Sequence, residues 1–266
     1  MVKIFETHAH YDDKAFDEDR EKVIAGLKEN GIYAVTNIGS DLKSSQNTLD
    51  LIKKYDFFYG AVGVHPSDVN CLEEFGDDEK AIDAIRNMAK SSERVVAIGE
   101  IGLDYHYEDT DKKLQEKWFR KQIRLARELN LPVVVHSRDA VDDTICIMEQ
   151  EKVKEVGGVV HCYSYTEHSA IVFRKMGCYI GVGGVLTFAN GRKLKDTVKH
   201  TPLASLVLET DSPYLSPQPF RGKRNDSTNL KYVAEAIAKI KEMPVEEVYE
   251  KTWENAKNLY RIKDNI

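Results

Sequence analysis

The amino-acid sequence predicts an α/β fold, a single (β/α)8 barrel, from its length and from the alternation of strand-like and helix-like segments. At 266 residues the chain has room for one such barrel or for two smaller domains. No internal repeat, low-complexity tract or Ser/Gly/Pro-rich linker divides the sequence. We therefore expect one domain over residues 1–266.

Short runs rich in Val, Ile, Phe and Tyr alternate with longer segments of helical periodicity, which is typical of repeated βα units. The predicted strands are 2–8, 32–39, 57–65, 94–100, 132–136, 157–161, 178–184 and 205–210. The clearest predicted helix is 111–129, where apolar residues recur at helical spacing. Further helices over 244–261 are expected to pad the outside of the barrel. A doubly wound open sheet is the competing topology.

Composition excludes several classes of protein. The longest apolar runs, such as VVAIG and PVVV, are far shorter than the roughly 20 residues of a membrane span. No signal-like segment precedes the first strand, and the four cysteines show no paired spacing, so we expect a cytoplasmic protein. The net charge of −6 argues against broad electrostatic wrapping of nucleic acid but leaves room for a local basic patch.

Residue types that bind metals stand where the predicted strands end. They are His8, His10, His65, Glu100, His136, His161 and Asp211. The active site of a (β/α)8 barrel lies at the carboxyl ends of its strands, so these side chains are expected to meet there. The two-residue period of a strand places His8 and His10 on one face.

Imidazole and carboxylate groups together suit zinc, manganese or iron, and four histidines with two carboxylates exceed the needs of one tetrahedral ion. We therefore predict two divalent metal ions, with Glu100 able to bridge them. Two nearby histidines alone are weak evidence, and the weight rests on the joint placement at strand ends. His106, His168 and His200 fall in loops or helices and are assigned no metal role. Strand alternation predicts a buried apolar position for Cys162.

The sequence resembles the TatD family of metal-dependent deoxyribonucleases, which belong to the amidohydrolase-like TIM-barrel hydrolases. The resemblance covers the whole chain and rests on THAH, GVHP, GEIGLDY, LPVVVHSRDA, GGVVHCY and ETDSPYLSPQPFRGKRN. It implies that His8 and His10 hold one metal with Asp211. By the same resemblance His136 and His161 hold the second metal, and Glu100 bridges the two. The ions are expected to be Zn²⁺, Mn²⁺ or Mg²⁺.

Two positions depart from the family pattern. Glu6 stands where the family usually has Asp, one methylene shorter, beside the two histidines of the first strand. The segment YSYTEHS follows the HC pair of GGVVHCY where relatives commonly carry a small Gly-Ser step. The substrate pocket is therefore expected to differ in shape, with the metal ligands intact.

The expected reaction is hydrolysis of phosphodiester bonds by activated water, with Asp211 as general base and Glu100 as its catalytic partner at the metals. The substrate-binding candidates are His65, Arg138, Arg221, Lys223 and Arg224 for phosphates and Tyr105, Tyr107 and Tyr163 for bases. A concave barrel mouth favours a strand end, so 3′ exonuclease action on single-stranded DNA or RNA is preferred. We expect a monomer with no obligate protein partner.

Two other functions remain open from the sequence. The same pair of metals could hydrolyse small amides, lactones or phosphoesters, because the fold does not determine the substrate. The second is a non-enzymatic binding protein that has the same barrel, and the complete set of ligand residues argues against it.

Overall fold

The computed structural model describes residues 2–263 and contains eight parallel strands that pair in chain order. The strands are β1 Ile4–Ala9, β2 Ile32–Ile38, β3 Phe58–Val62, β4 Val95–Asp104, β5 Val133–Arg138, β6 Gly158–Val160, β7 Cys178–Val182 and β8 Leu206–Leu208. The predicted domain 1–266 also includes Met1 and residues 264–266, which lie outside the described residues.

Contacts between the first and last strands close the sheet into a barrel. Ala9 forms a parallel bridge with Ser212, and Thr7 Oγ1 donates a hydrogen bond to the Leu208 carbonyl at 2.9 Å. A doubly wound sheet would reverse its strand order at a switch point. The sequential order and the closure therefore exclude that topology and confirm the (β/α)8 barrel.

Within residues 2–263, ten α-helices surround the barrel or cover the end at which its strands begin. They are α1 Arg20–Ala25, α2 Leu42–Lys54, α3 Asn70–Glu73, α4 Asp78–Lys90, α5 Lys112–Leu129, α6 Val141–Gln150, α7 Glu167–Lys175, α8 Arg192–His200, α9 Leu230–Lys241 and α10 Val245–Tyr260. Within residues 2–263, no helix combines the length and the apolar character that crossing a bilayer would require.

Helix α5 shows how local sequence sets a crossover helix. It begins after Asp111, whose carboxylate accepts a hydrogen bond from the Leu114 N–H at 3.0 Å. It ends at Asn130, which adopts a left-handed conformation with φ 53° that Asn tolerates better than most residues. Its apolar face buries Trp118 and Phe119 completely against the barrel. The prediction of a helix over 111–129 is thus closely matched.

Strand β4 continues four residues beyond its predicted end. Gly102, Leu103 and Asp104 pair in register with His136, Ser137 and Arg138 of β5, so the ladder extends past Glu100. Glu100 consequently lies inside a strand, directly before Ile101, which pairs with Val135 of β5. Asp104, two periods further along, shares the face of Glu100.

Helix α10 does not pad the outside of the barrel, contrary to the expectation for 244–261. Side chains pointing into the barrel form an apolar cluster that includes Phe5, Ala61 and Val207, and α10 contributes Leu259 and Tyr260 to it. The Tyr260 hydroxyl donates to the Thr7 carbonyl at 2.7 Å. Arg261, directly after α10, donates to the carbonyls of Asn130 and Val156, which precede β5 and β6, so α10 covers the end opposite the carboxyl ends.

Asn255 connects α10 to the start of the last strand by hydrogen bonds, so its substitution is expected to lower the stability of the fold. Its buried amide donates to the carbonyls of Leu203 and Leu206, both at 2.8 Å. Asn255→Leu leaves two buried acceptors without donors and should lower the free energy of unfolding by about 2 kcal/mol. Urea denaturation measures this loss.

The matched control is Asn258→Leu, which alters an exposed asparagine on the same helix. Its free energy of unfolding should stay within about 0.5 kcal/mol of the wild type. Equal stability of the Asn255 and Asn258 variants would contradict the fastening role.

Candidate metal centre

A cleft of about 340 Å³ opens at the carboxyl ends of the strands. It is lined by His10, Asp12, Asp13, Ser40, Ser44, His65, Asp68, Glu100, His136, His161, Asp211 and Tyr214. His8, the remaining predicted ligand, is fully buried beside it. A larger depression of about 720 Å³ beside α1 and α2 shares only Asp12 with this cleft, so it is a separate feature.

Glu100 lies between two pairs of histidines and presents a different oxygen to each. Its Oε2 lies 3.4 Å from His8 Nε2 and 3.8 Å from His10 Nε2. Its Oε1 lies 2.9 Å from His136 Nδ1 and 2.6 Å from His161 Nε2. This division is the geometry expected of a carboxylate that bridges two cations.

His8, His10 and Asp211 form the first half of the centre. Asp211 Oδ1 lies 3.6 Å from His8 Nε2 and 3.3 Å from His10 Nε2. His10 Nδ1 lies 2.9 Å from the Ile38 carbonyl, which can only accept, so Nδ1 carries a hydrogen and Nε2 offers its lone pair. Asp211 has φ 58°, a left-handed conformation that turns its carboxylate from the strand toward the histidines.

His136 and His161 form the second half, with His136 Nδ1 and His161 Nε2 3.1 Å apart. The sequence analysis missed Asp104, whose Oδ2 lies 3.2 Å from His136 Nε2. A hydrogen donated from Nε2 to this carboxylate leaves Nδ1 as the free lone pair, which fixes the orientation of the ring. Only part of this signal was present in the sequence: Asp104 follows Glu100 by four residues, a spacing that places the two on one face if the strand continues past Glu100, as the structure shows it does.

The carboxylates reverse the effect of burial on two of the histidines. Burial lowers the pKa of His10, but the hydrogen bond and charge of Asp211 outweigh it and raise the pKa to about 9. Burial likewise acts on His136, where hydrogen bonds to Asp104 and Glu100 raise the pKa to about 9. These carboxylates therefore create a field that favours positive charge.

The histidine and carboxylate atoms of the site form groups that could hold metal ions. His8 Nδ1 and His161 Nδ1 are buried and have no hydrogen-bond partner within residues 2–263. Burial lowers the pKa of His8 to about 4, with the charge of His161 adding to the effect, so this ring is neutral. Imidazole nitrogens that lie 2.6–3.8 Å from the oxygens of Glu100 suit divalent cations, and the residues present fit such ions.

Two further buried glutamates, Glu6 and Glu209, accept hydrogen bonds from backbone groups of the segments that carry the candidate ligands. Glu6 accepts hydrogen bonds from the His8 N–H at 3.1 Å and from the Thr210 N–H at 2.9 Å, and thereby links β1 to the residue preceding Asp211. Burial raises the pKa of Glu6 to about 7. Glu209 accepts a hydrogen bond from the backbone N–H that follows His161. The extra methylene of Glu6 is thus accommodated without displacing a ligand.

Cys162 departs from its predicted buried apolar position. Strand β6 ends at Val160, and Cys162 has φ 45°, so strand alternation no longer sets its direction. Its side chain is half-buried, and the nearby carboxylates add to burial in raising the pKa of its thiol.

His65 lines the cleft as a hydrogen-bond donor. The Ser67 N–H donates to His65 Nδ1 at 3.1 Å, so in the neutral ring the hydrogen is on Nε2. Burial lowers the pKa of His65 to about 3, which keeps the ring neutral. Its Nε2 lies 3.6 Å from Glu100 Oε1 and points into the site. His65 Nε2 therefore faces the cleft, where a substrate would lie, and His65 also forms with Asp104 and His136 a group of side chains that could hold a metal ion.

None of the predicted phosphate-binding Arg and Lys residues is among the described residues that line the cleft. Arg138 is exposed at the carboxyl end of β5, with its guanidinium 5.9 Å from the Tyr107 ring centre. Arg221 lies 4.5 Å over the Phe188 ring, and Lys223 is exposed. Arg224 makes two 2.7 Å hydrogen bonds to Asp19. The Arg224 guanidinium is therefore engaged in an ion pair with Asp19 and is not free to bind a phosphate.

The predicted base-stacking tyrosines do not reach the cleft either. Tyr163 is only 2% exposed and its hydroxyl donates to the Thr166 carbonyl, so the ring belongs to the core. The Tyr105 hydroxyl donates to Glu116 of α5 at 3.3 Å. Tyr107 is exposed outside the lining residues. The tyrosine that does line the cleft is Tyr214, which the sequence analysis did not single out.

The three histidines assigned no metal role lie apart from the ligands. His106 Nδ1 lies 2.9 Å from Asp139 Oδ2, and His200 Nδ1 lies 3.2 Å from Glu167 Oε2, both on the surface. His168 is exposed on α7.

Comparison with known proteins places this barrel and its cleft in one family. Residues 5–261 match the family model described as TatD related DNase. The uncharacterized metal-dependent hydrolase YabD of Bacillus subtilis is 42% identical, over 97% of this chain and 99% of its own. The uncharacterized metal-dependent hydrolase YcfH of Escherichia coli K12 is 36% identical, over 97% and 96%. The crystal structure of YJJV, a TatD homolog from the same species, superposes with a TM-score of 0.89 at 27% identity and 98% coverage of both chains. The chain therefore belongs to the TatD family.

Proposed function

We propose that the protein is a metal-dependent hydrolase that cleaves phosphodiester bonds at the 3′ ends of single-stranded nucleic acid. The observation that carries this proposal is the position of Glu100, whose two oxygens face separate histidine pairs. A matching family model and relatives named as metal-dependent hydrolases support the reaction class.

The residues that would hold two divalent cations divide into two sets. His8, His10 and Asp211, which form one of the groups that could hold a metal, would bind the first ion. His136 and His161, whose nitrogens lie 3.1 Å apart beside Glu100 Oε1, would bind the second, and Glu100 would contact both. Cations such as Zn²⁺, Mn²⁺ or Mg²⁺ would supply Lewis acidity and increase the acidity of a water molecule. All of these candidate ligands come from one chain, and we propose a monomer that needs no protein partner.

Asp211 is the residue we propose as general base. Its side chain is 17% exposed, against 4% for Glu100, so it is the acidic ligand more open to the cleft. As the water oxygen bonds to phosphorus, Asp211 takes its proton and passes it to the departing 3′ oxygen. The bond between phosphorus and that oxygen breaks, which releases a 5′-mononucleotide and a strand shortened by one residue.

His65 would orient the phosphate in this reaction. Its Nε2–H faces the cleft and can donate to a nonbridging phosphoryl oxygen, where negative charge builds as water attacks. Arg138 would attract the phosphate that precedes the cleaved bond from its exposed position at the rim. We do not assign Arg224 to this task, because Asp19 already binds it.

Hydrolysis of small amides, lactones or phosphoesters is the second candidate function. The observation that favours it is the charge of the cleft lining, which contains Asp12, Asp13 and Asp68 and no Lys or Arg among the described residues. Such a lining would suit a small uncharged substrate. Direct comparison of substrates separates the two candidates.

We expect two divalent cations per chain, and about one in the His161→Ala variant, because that substitution removes a donor from only one half. Elemental analysis after dialysis against trace Zn²⁺ or Mn²⁺ measures the stoichiometry. His168→Ala, an exposed histidine outside the centre, should retain two. Fewer than two ions in the wild type, or two in His161→Ala, would contradict the proposed centre.

The substrate prediction is tested with a 5′-labelled single-stranded oligonucleotide beside a panel of small amides, lactones and phosphodiesters. We expect a ladder of products shortened from the 3′ end in the presence of Mg²⁺, Mn²⁺ or Zn²⁺. A chelator should abolish turnover, while circular dichroism keeps most of its signal because the strands and helices form the core without metal. Turnover of an amide or lactone without any ladder would establish the second candidate instead.

A contaminating nuclease is excluded by paired variants purified in the same way. Asp211→Asn removes the proposed base and should reduce turnover by roughly 10²- to 10⁴-fold. Asp139→Asn changes an exposed carboxylate at the same end of the barrel and should keep wild-type turnover. Full activity in the Asp211 variant would remove this residue from the mechanism.

A further inference from the structure

An exposed aromatic ring forms one wall of the cleft beside the metal ligands. Tyr214 is 53% exposed, and its ring centre lies 6.4 Å from the imidazole centre of His10. An open aromatic ring in a cleft offers a flat face on which a ligand can stack. The reaction as described above gives this ring no task.

The ring is held firmly in this open position. The Tyr214 hydroxyl donates to Asp13 Oδ2 at 2.8 Å. Its backbone N–H donates to the Asp211 carbonyl at 2.8 Å, and its own carbonyl accepts from Asn225 Nδ2 at 2.8 Å. Asn225 is fully buried, so the loop is anchored from inside the protein. A side chain held by its hydroxyl on a backbone held at two further points loses little conformational entropy when a ligand stacks on it.

The next residue, Leu215, is also exposed, although it is not among the described residues that line the cleft. Leu215 is 37% exposed and has φ 54°, in the left-handed region that a bulky side chain rarely adopts. Residues in such conformations cluster at binding sites, where the surrounding structure holds them. Tyr214 and Leu215 together, which we call the Tyr214 platform, present an aromatic and an aliphatic side chain on the same loop.

The charges around the platform select the kind of group that can lie on it. Asp12 and Asp13 line the same side of the cleft and would repel a phosphate. An uncharged planar group can stack on the ring and has no such penalty. The cleft volume of about 340 Å³ is enough for one nucleotide beside the ligands and too little for a duplex.

We propose that the Tyr214 platform is the subsite for the 3′-terminal nucleobase of the substrate. This inference rests on the proposed cleavage of phosphodiester bonds, and it names the group that positions the cleaved bond. The base stacks on the Tyr214 ring while its 5′ phosphate faces His65 and the ligands. Because every base has a flat face, the subsite accepts all four bases with little preference.

The test compares two oligonucleotides that differ only in whether the 3′-terminal residue carries a base or is abasic. Wild-type enzyme should show a KM roughly 10- to 100-fold lower for the strand with the base. The value of kcat should change little, since stacking contributes equally before and during the reaction. Equal KM values for the two strands would overturn the proposal, and this arm does not depend on any variant.

Variants then assign the effect to the ring. Tyr214→Ala should raise KM for the strand with the base to the value for the abasic strand and leave the abasic strand unchanged. Tyr214→Phe keeps the ring and should retain most of the preference. Phe75→Ala, an exposed aromatic residue that does not line the cleft, should behave as wild type. A base preference that survives in Tyr214→Ala would exclude the ring as its cause.

Binding without turnover provides an independent readout. An oligonucleotide ending in 2-aminopurine, with an uncleavable methylphosphonate as its last linkage, should lose fluorescence on binding to the metal-loaded wild type and to Tyr214→Phe. Tyr214→Ala should not quench it. If the wild type cleaves no oligonucleotide, the proposed function fails. If it cleaves both strands equally well, only the base subsite fails.

Discussion

The arrangement of the site depends on one buried carboxylate. Glu100 is almost completely enclosed, yet five imidazoles approach its two oxygens, those of His8 and His10 at Oε2 and those of His65, His136 and His161 at Oε1. Burial raises the pKa of this carboxyl, but the charges and hydrogen bonds of the histidines outweigh it and hold the pKa well below its usual range. A buried charge of this kind is stable only with compensating partners. The buried charge of Glu100 therefore requires the histidines beside it. The barrel positions them there because their strands end at one rim.

The carboxyl ends of eight parallel strands meet at one rim, and this explains why so much could be predicted. His8, His136 and His161 each follow a short apolar run, and a closed barrel brings such positions together whatever their separation in sequence. Strand periodicity also accounts for Glu100 and Asp104 on one face. The prediction of Glu100 at a strand end was wrong in detail, because pairing with β5 depends on register, which the sequence of β4 alone does not reveal.

Loop side chains were predicted less well, for a different physical reason. Tyr105, Tyr163 and Tyr214 all follow strands, but only the path of each loop decides whether the ring enters the core, contacts a helix or lines the cleft. Arg224 was expected to bind phosphate, but it forms an ion pair with Asp19, which is 205 residues away in sequence. Helix α10 was misplaced because its apolar face fits the end of the barrel as well as it would fit the side. Each of these outcomes depends on a partner distant in sequence.

The site is also asymmetric, and this bears on how a substrate would lie. One side of the cleft carries Asp12, Asp13 and the Tyr214 ring, while Arg138 stands exposed at the rim beyond His136. A nucleotide placed with its base on the aromatic side would direct its phosphates away from the carboxylates. The acidic lining, which by itself favours a small uncharged substrate, is then compatible with cleavage of a strand end.

The most direct test of the account is anomalous X-ray diffraction from crystals of the full chain grown with Mn²⁺ or Zn²⁺. We expect two strong peaks about 3.5–4 Å apart, one beside His8, His10 and Asp211 and the other beside His136 and His161, with Glu100 between them. A single peak, or peaks remote from Glu100, would contradict the claim that this carboxylate organises a pair of cations.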